Sequence, residues 1–292
     1  MNKIIARMRG GLGNQLFILA FAYYIAELNN ENAVIELDTR EYKTYKIRDF
    51  ELFKLIDDSK LSIMYEAEKH PFYDITREMF HVIQRLNRNE TNSIKWLSRL
   101  GYYYSRRSPL SVPLTNANTA FVYGYYQNSE IASRVRKRLL EHIPSNTVSI
   151  NGYDPSKPSI AISIRWGQDY VDAGWPICDA EYFRKGIQHI IEQKYKDKEV
   201  QVLVFSDEIE KAIQSNLHEK AIFVKGLSSA EQMKLMMTCD DYVIANSSFS
   251  WWGAFLGRKE DSIVVLPKYW YEHGGKTRDT KLLYENTYIM ED

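Results

Sequence analysis

Residues 159–170 read S-I-A-I-S-I-R-W-G-Q-D-Y. The first half, Ile160 to Ile164, is a short apolar run with β-branched residues and no charge. Such a run predicts a strand buried on both faces, as in a parallel sheet. Arg165, Gly167 and Asp169 follow at once, so a permanent cation and a carboxylate emerge where the strand should end. Ligands of open α/β sheets bind in the crevice beyond the carboxyl ends of the strands. A planar guanidinium placed there suits bidentate hydrogen bonding to phosphate. Taken alone, these residues fit a structural Arg–Asp pair equally well.

Downstream the pattern turns regular. Helix near 181–194, strand 201–205, helix 208–216, strand 221–224, helix 229–239, strand 242–245, helix from Ser250 and strand 262–266 alternate. That alternation predicts an α/β fold with a doubly wound parallel sheet. Upstream, residues 144–158 are polar and carry Gly152, Pro155 and Pro158 as breakers, which places a domain boundary there. Two domains are expected, 1–150 and 151–292, as 292 residues exceed one ordinary domain.

The N-terminal half opens on a predicted strand, Ile4 to Met8, then R-G-G-L-G-N-Q, then an apolar helix over 16–28. Strand, glycine loop and helix aim backbone N–H groups at an anion. Gly11 and Gly13 fit a dinucleotide fingerprint, but Leu16 stands where its third glycine belongs. Asp38, at the end of the predicted strand 33–37, is where a ribose-binding acid would lie, so a nicotinamide enzyme is one reading. Residues 70–113 are irregular, basic and aromatic, with Tyr102 to Tyr104, Arg106 and Arg107 as candidate acceptor contacts. A strand over 120–126 and a charged helix over 129–141 close this half. The helix's basic residues scatter around it, which favours a solvated face over a nucleic-acid stripe.

Hydrophobic residues make up 45% of the chain, enough for a real core. Lys plus Arg equals Asp plus Glu at 38 each, so no global field favours nucleic acid or an acidic membrane. No run approaches the roughly 18 apolar residues of a membrane span, and no signal-peptide core opens the chain. A cytoplasmic protein, with peripheral attachment at the inner membrane face as a variant, is the expectation. Cys178 and Cys239 show neither zinc spacing nor a disulfide framework. No Asp-x-Asp pair offers ligands for a nucleotide-bound metal, so an arginine would have to neutralise a diphosphate. The six histidines form no nucleophile–base signature.

The second chemical stretch is Tyr242 to Gly257, Y-V-I-A-N-S-S-F-S-W-W-G-A-F-L-G. A strand ends at Asn246, hydroxyls follow at Ser247, Ser248 and Ser250, and an apolar helix begins. One hydroxyl is accounted for as a helix cap; three, with free helix N–H groups, make a phosphate cradle. Trp251 and Trp252 are expected to lock that helix onto the sheet. Asp207, beside Glu208, marks a third strand end, either as a ligand to a base or ribose or as a cap for the next helix.

With those residues in view, the sequence resembles glycosyltransferase family 11, the α-1,2-fucosyltransferases, along nearly its whole length. The stretches that carry the resemblance are R-G-G-L-G-N-Q-L-F, G-Y-Y-Q-N-S-E, S-I-R-W-G-Q-D-Y, V-F-S-D-E, L-M-M-T-C-D-D-Y-V-I-A-N-S-S-F-S-W-W-G-A-F-L and V-V-L-P-K-Y-W. The resemblance implies a GT-B-like enzyme, two Rossmann-type domains facing a cleft, with the acceptor on the first and GDP-fucose on the second. It implies inverting transfer of L-fucose from GDP-β-L-fucose to the 2-hydroxyl of a galactoside glycan, free or lipid-linked, in O-antigen or capsule assembly, with no cofactor or metal. By motif, Arg165 holds the donor diphosphate and Asn246, Ser247, Ser248, Phe249 and Ser250 line it. Asp207 lies near the guanosine, Ser163 is donor-facing, and Gly11, Gly13, Asn14 and Gln15 form the opposing donor-binding loop, from which Asn14 reaches across the cleft towards the donor. Asp169 is the candidate base, with a structural pairing to Arg165 as its alternative.

The family pattern HxRRGDY is altered here: Ser163 replaces the histidine, Trp166 the second arginine, and Gln168 is inserted before Asp169. The resulting shape is similar to the loop of protein O-fucosyltransferases, where a single arginine is retained. Trp166 is a further candidate for the acceptor side. The alternatives are a transferase for another nucleotide sugar and a non-catalytic nucleotide- or sugar-binding protein of the same fold.

Overall fold

The computed structural model describes residues 1–30, 32–44, 48–64, 74–75, 78–79, 82, 97–104, 115–175, 177–196, 198–270 and 282–290. They form two compact units, Met1–Pro144 and Ser145–Asp292. Arg106 and Arg107, named above as acceptor contacts, lie outside the described residues.

The first unit runs β1 (Lys3–Arg7), α1 (Leu12–Asn29), β2 (Val34–Asp38), α2 (Arg40–Thr44), a 3₁₀ turn (Leu52–Lys54), β3 (Leu61–Ile63), β4 (Tyr102–Tyr104), β5 (Thr119–Tyr123) and α3 (Ser129–Glu141). Its sheet has the order β3-β2-β1-β5-β4, and every pairing is parallel. α1 packs against both β1 and α3, which is why it is apolar all round and buried from Leu16 to Ala26. It begins four residues earlier than its apolar density suggests, so Gly13, Asn14 and Gln15 sit in its first turn. Asn128 caps α3, accepting from the N–H groups of Glu130 at 2.8 Å and Ile131 at 3.2 Å.

The second unit runs β6 (Ser159–Ile164), α4 (Gln168–Asp172), α5 (Ala180–Lys194), β7 (Gln201–Ser206), α6 (Ile209–Gln214), β8 (Ala221–Phe223), α7 (Ser229–Met236), β9 (Asp241–Ile244), α8 (Ser248–Gly257), β10 (Val264–Pro267) and β11 (Thr287–Met290). The sheet order is β11-β10-β9-β6-β7-β8, again all parallel. All six residues of β6 are buried, as a central strand covered on both faces requires. Ile160, Ile162 and Ile164 join Phe183, Ile187 and Ile190 of α5 in one core. β11 was not expected from the sequence: Thr287–Met290 alternates weakly, and its strand character comes from pairing on β10.

From β6 the chain steps outward to β7 and β8, then returns to place β9 on the other side of β6. The carboxyl ends of β6 and β9 therefore flank the topological switch point, where open α/β sheets bind ligands. The first unit has the corresponding point between β1 and β5.

Candidate active site

Arg165 is the first residue past β6, and its side chain is 15% exposed. Its guanidinium donates to the carboxylates of Asp207 and Asp169 and lies over the Tyr170 ring, 4.8 Å from the centroid. Two of its N–H donors are engaged in this way, and a guanidinium has five. Asp207, just past β7, also accepts from the backbone N–H groups of Trp166 and Gly167, both at 2.9 Å. Its carboxylate is therefore the clamp that shapes the loop after β6. It does not cap α6; Glu208 holds the cap position and makes no side-chain cap bond.

Gly167 has no room for a side chain. A Cβ there would meet the Asp207 Oδ2 at 2.6 Å and the Asp169 Oδ1 at 2.7 Å. Asp169 lies in the first turn of α4 and is the outer partner of Arg165, 52% exposed against 22% for Asp207. Arginine with two carboxylates sums to one net negative charge, so an anion that takes Arg165 must displace one of them. Asp169, the more solvated of the two, is the one that can leave.

Tyr170 ties the two strand ends together, donating to the carbonyl of Asn246 at 2.8 Å. Burial pushes its phenol up to about 12, so it stays a donor at neutral pH. Its position in the Arg165 loop was visible in the sequence, but its bridging role needs β6 and β9 to be neighbours.

At the end of β9, Ser247 occupies the N-cap of α8 without a side-chain cap bond. Its hydroxyl and that of Ser248 have no hydrogen-bond partner among the described residues. The free first-turn N–H groups of α8 add to them, as every helix start leaves such groups unsatisfied. Asn246 is 2% exposed; its amide N–H donates to the Trp270 carbonyl at 3.3 Å, while its Oδ1 is buried with no partner. Arg165, Ser247, Ser248 and the α8 N-terminus thus converge on the switch point, and Phe249 sits beside them, half-buried.

Other expected site residues are turned inward. Ser163 and Ser250 are 2% and 1% exposed, and their hydroxyls bond each other at 2.7 Å, pinning α8 to β6. Neither is open to a donor, so both are positioning residues. Trp166 is 6% exposed, donates its indole N–H to the Cys178 carbonyl at 2.6 Å and meets Phe183 edge-on. That placement corrects its reading as an acceptor contact. Tyr103 and Tyr104 are likewise core residues, 2% and 0% exposed, and Tyr102 stacks on Phe121.

In the first unit, Gln15 is fully buried. It donates to the carbonyls of Gly10 at 3.1 Å and Asp49 at 2.9 Å and accepts from the Glu51 N–H at 3.0 Å. All three bonds are structural, so Gln15 braces the glycine loop and contacts no ligand. Gly13 is buried too; Gly11 and Asn14 stay partly open, and Asn14 accepts from Gln127 at 2.8 Å. Gly10 has φ +72, and a Cβ there would meet the Asn14 side chain at 2.6 Å. Asp38 is 0% exposed and bonded by Arg7 at 2.7 Å and twice by Arg40 at 2.9 Å. Burial alone would raise its carboxyl, but these bonds and the Arg7 charge hold it below the usual range. A carboxylate so enclosed cannot take a ribose, which removes the nicotinamide reading. Among the described residues, no three His, Cys, Asp or Glu side chains gather as a metal site would need.

Residues 3–290 match glycosyl transferase family 11. The chain belongs to that family. This glycosyltransferase is 28% identical over 288 residues to an α-1,2-colitosyltransferase of Escherichia coli, with 93% of each chain covered. It is 25% identical to the O-antigen biosynthesis glycosyltransferase WbnK of E. coli, over 94% of this chain and 96% of the other. Among solved structures, a glycosyl transferase of family 9 from Veillonella parvula aligns with a TM-score of 0.51 at 11% identity, covering 99% of this chain and 86% of that one. That likeness is one of fold, and the fold of this family 11 member is of the GT-B class. No described helix is long and apolar enough to cross a membrane.

Proposed function

We propose that the chain is an inverting, metal-independent α-1,2-fucosyltransferase, which moves L-fucose from GDP-β-L-fucose to the 2-hydroxyl of a galactoside. The observation that carries this reading is Arg165 held at the switch point beside the Ser247 and Ser248 hydroxyls and the N-terminus of α8. As the C1–O bond lengthens, charge grows on the leaving diphosphate. Arg165 and the α8 N–H groups are preorganised to stabilise it, and no reorganisation is needed at that moment.

Diphosphate and Asp169 compete for the Arg165 fork. Donor binding exchanges the carboxylate for phosphate and leaves Asp169 free to take the proton of the attacking hydroxyl. Asp207, tied to two backbone N–H groups, stays in place and keeps the arginine aimed. The acceptor belongs to O-antigen-type glycans, as the part WbnK takes in O-antigen biosynthesis suggests, and the protein works in the cytoplasm, at most peripherally on the membrane.

The α-1,2-colitosyltransferase relative supports a second reading, in which the transferred sugar is colitose, a fucose lacking its 3-hydroxyl. A site built to bond that hydroxyl rejects the deoxy sugar strongly, whereas a site without such a bond discriminates weakly. The test is GDP release in EDTA with GDP-fucose, GDP-colitose and a β-galactoside, with the product linkage read by NMR. An α-1,2-fucosyl product supports the proposal, and exclusive use of GDP-colitose replaces it with the second reading. Absence of any acceptor-dependent release contradicts both.

A further inference from the structure

The charges at the Arg165 site do not balance a diphosphate. Once Asp169 has left, Arg165 and Asp207 cancel, and the anion is multiply charged. The N-terminus of α8 adds roughly half an elementary charge, which is not enough. A second full cation is called for, within reach of the same strand ends.

The neighbouring cations are mostly committed elsewhere. Lys225 donates to Glu210 at 2.8 Å. Arg184 donates to Glu181 at 3.2 Å and to the Ser215 carbonyl at 3.0 Å. Lys268 follows β10, two strands from β6. Lys211 differs from all three. It is the third residue of α6, it is exposed, and among the described residues it pairs with no acid. Its ammonium lies instead over the Trp166 ring, 5.2 Å from the centroid.

Trp166 is the residue next to Arg165, and it is fixed on every side. Its indole N–H is bonded to the Cys178 carbonyl, its ring edge meets Phe183, and its backbone N–H is held by Asp207. Lys211 is thereby kept beside the Arg165 loop, at the end of β7. The sheet order β9-β6-β7 then puts the α8 N-terminus on one flank of Arg165 and Lys211 on the other. Adjacent strands lie about 4.8 Å apart, so one diphosphate can span the three.

We propose that Lys211 is a second donor-binding cation, whose Nζ donates to the diphosphate on the flank opposite α8. The Trp166 ring holds the ammonium near its working position. An exposed cation–π contact is weak and is readily exchanged for a charge-assisted hydrogen bond to phosphate. The assignment deepens the donor reading above and rests on it.

The test is calorimetric titration of GDP into wild type, Lys211→Met and Lys211→Arg, at about 0.05 M and about 0.5 M salt. Methionine keeps an unbranched stem over Trp166 and removes only the charge. Expected at low salt is GDP binding weakened roughly three- to tenfold in Lys211→Met and largely restored in Lys211→Arg. The gap should narrow at high salt, because an exposed ammonium is screened. A thermal scan should give all three the same melting temperature. Equal GDP affinity in wild type and Lys211→Met overturns the assignment and leaves the donor reading standing. A loss of the same size at both salts overturns it too, since that marks packing on Trp166 and not charge. A wild type that binds no GDP overturns the donor reading, and this assignment with it.

Discussion

At the residue scale, the candidate site depends on how one guanidinium is held. Arg165 is aimed by Asp207, whose carboxylate also gathers the N–H groups of Trp166 and Gly167. Asp207→Asn keeps the size but replaces one accepting oxygen with a donor, which faces either Arg165 or a backbone N–H. A reacting group displaced by about 1 Å can cost on the order of 10²-fold in rate. The expectation is therefore a fall of that order in kcat, with the melting temperature nearly unchanged, measured by GDP release beside a thermal scan. Unchanged kcat would show that the clamp is dispensable. Arg165 and Asp169 were legible in the sequence because a charge at a strand end is visible in one dimension. Asp207's role was not, since it lies 42 residues from Arg165 and meets it only through the pairing of β6 with β7. Ser163 and Ser250 were misread for the same reason: a hydroxyl facing a ligand and one facing another hydroxyl look alike in sequence.

At the element scale, α8 is the piece that carries the second half of the site. Its serines are useful only while its body is fixed, and Trp251 and Trp252, both 0% exposed, do the fixing. Trp251 stacks on Phe255 with centroids 4.4 Å apart and donates to the Leu282 carbonyl at 2.9 Å. Burying about 200 Å² of ring at about 25 cal/mol/Å² contributes roughly 5 kcal/mol. Trp251→Ala is expected to lose about 3–5 kcal/mol of stability in a urea titration; a loss under 1 kcal/mol contradicts the anchoring role. The tryptophans' structural function was readable from their position on an apolar helix. Helix and strand ends were less so: β5 stops at Tyr123 rather than Tyr126 because Gly124 and Tyr126 leave extended geometry at positive φ. No alternation of residue types signals that turn.

At the scale of the whole molecule, both units use the same device, a parallel sheet with a switch point, and load it with different chemistry. Alternation of strands and helices made the second sheet legible, while the first was obscured by its short edge strands. Stability across the chain has a definite pH signature. Asp38 and Asp58 are both held below the usual carboxylate range; burial opposes this, but arginine bonds outweigh it at Asp38, and a Lys60 N–H and the Tyr23 hydroxyl at Asp58. A depressed folded pKa means stability that is full above the unfolded value of about 3.9 and lost as pH falls through the lower folded value. Melting temperature should therefore drop steeply below about pH 4, and Asp38→Asn should be less stable at pH 7 with a shallower acid limb. Parallel acid limbs in the two proteins would contradict this.

The central claim is that Arg165 receives the donor diphosphate in exchange for Asp169. The most direct measurement is calorimetric GDP affinity for wild type, Arg165→Lys and Asp169→Asn. An ammonium lacks the planar fork, so Arg165→Lys should bind GDP at least roughly tenfold more weakly. Asp169→Asn removes the competing charge and should bind it more tightly than wild type. Opposite shifts of these two variants are the predicted result. Equal GDP affinity in all three, or a loss in Asp169→Asn as large as that in Arg165→Lys, would contradict the account.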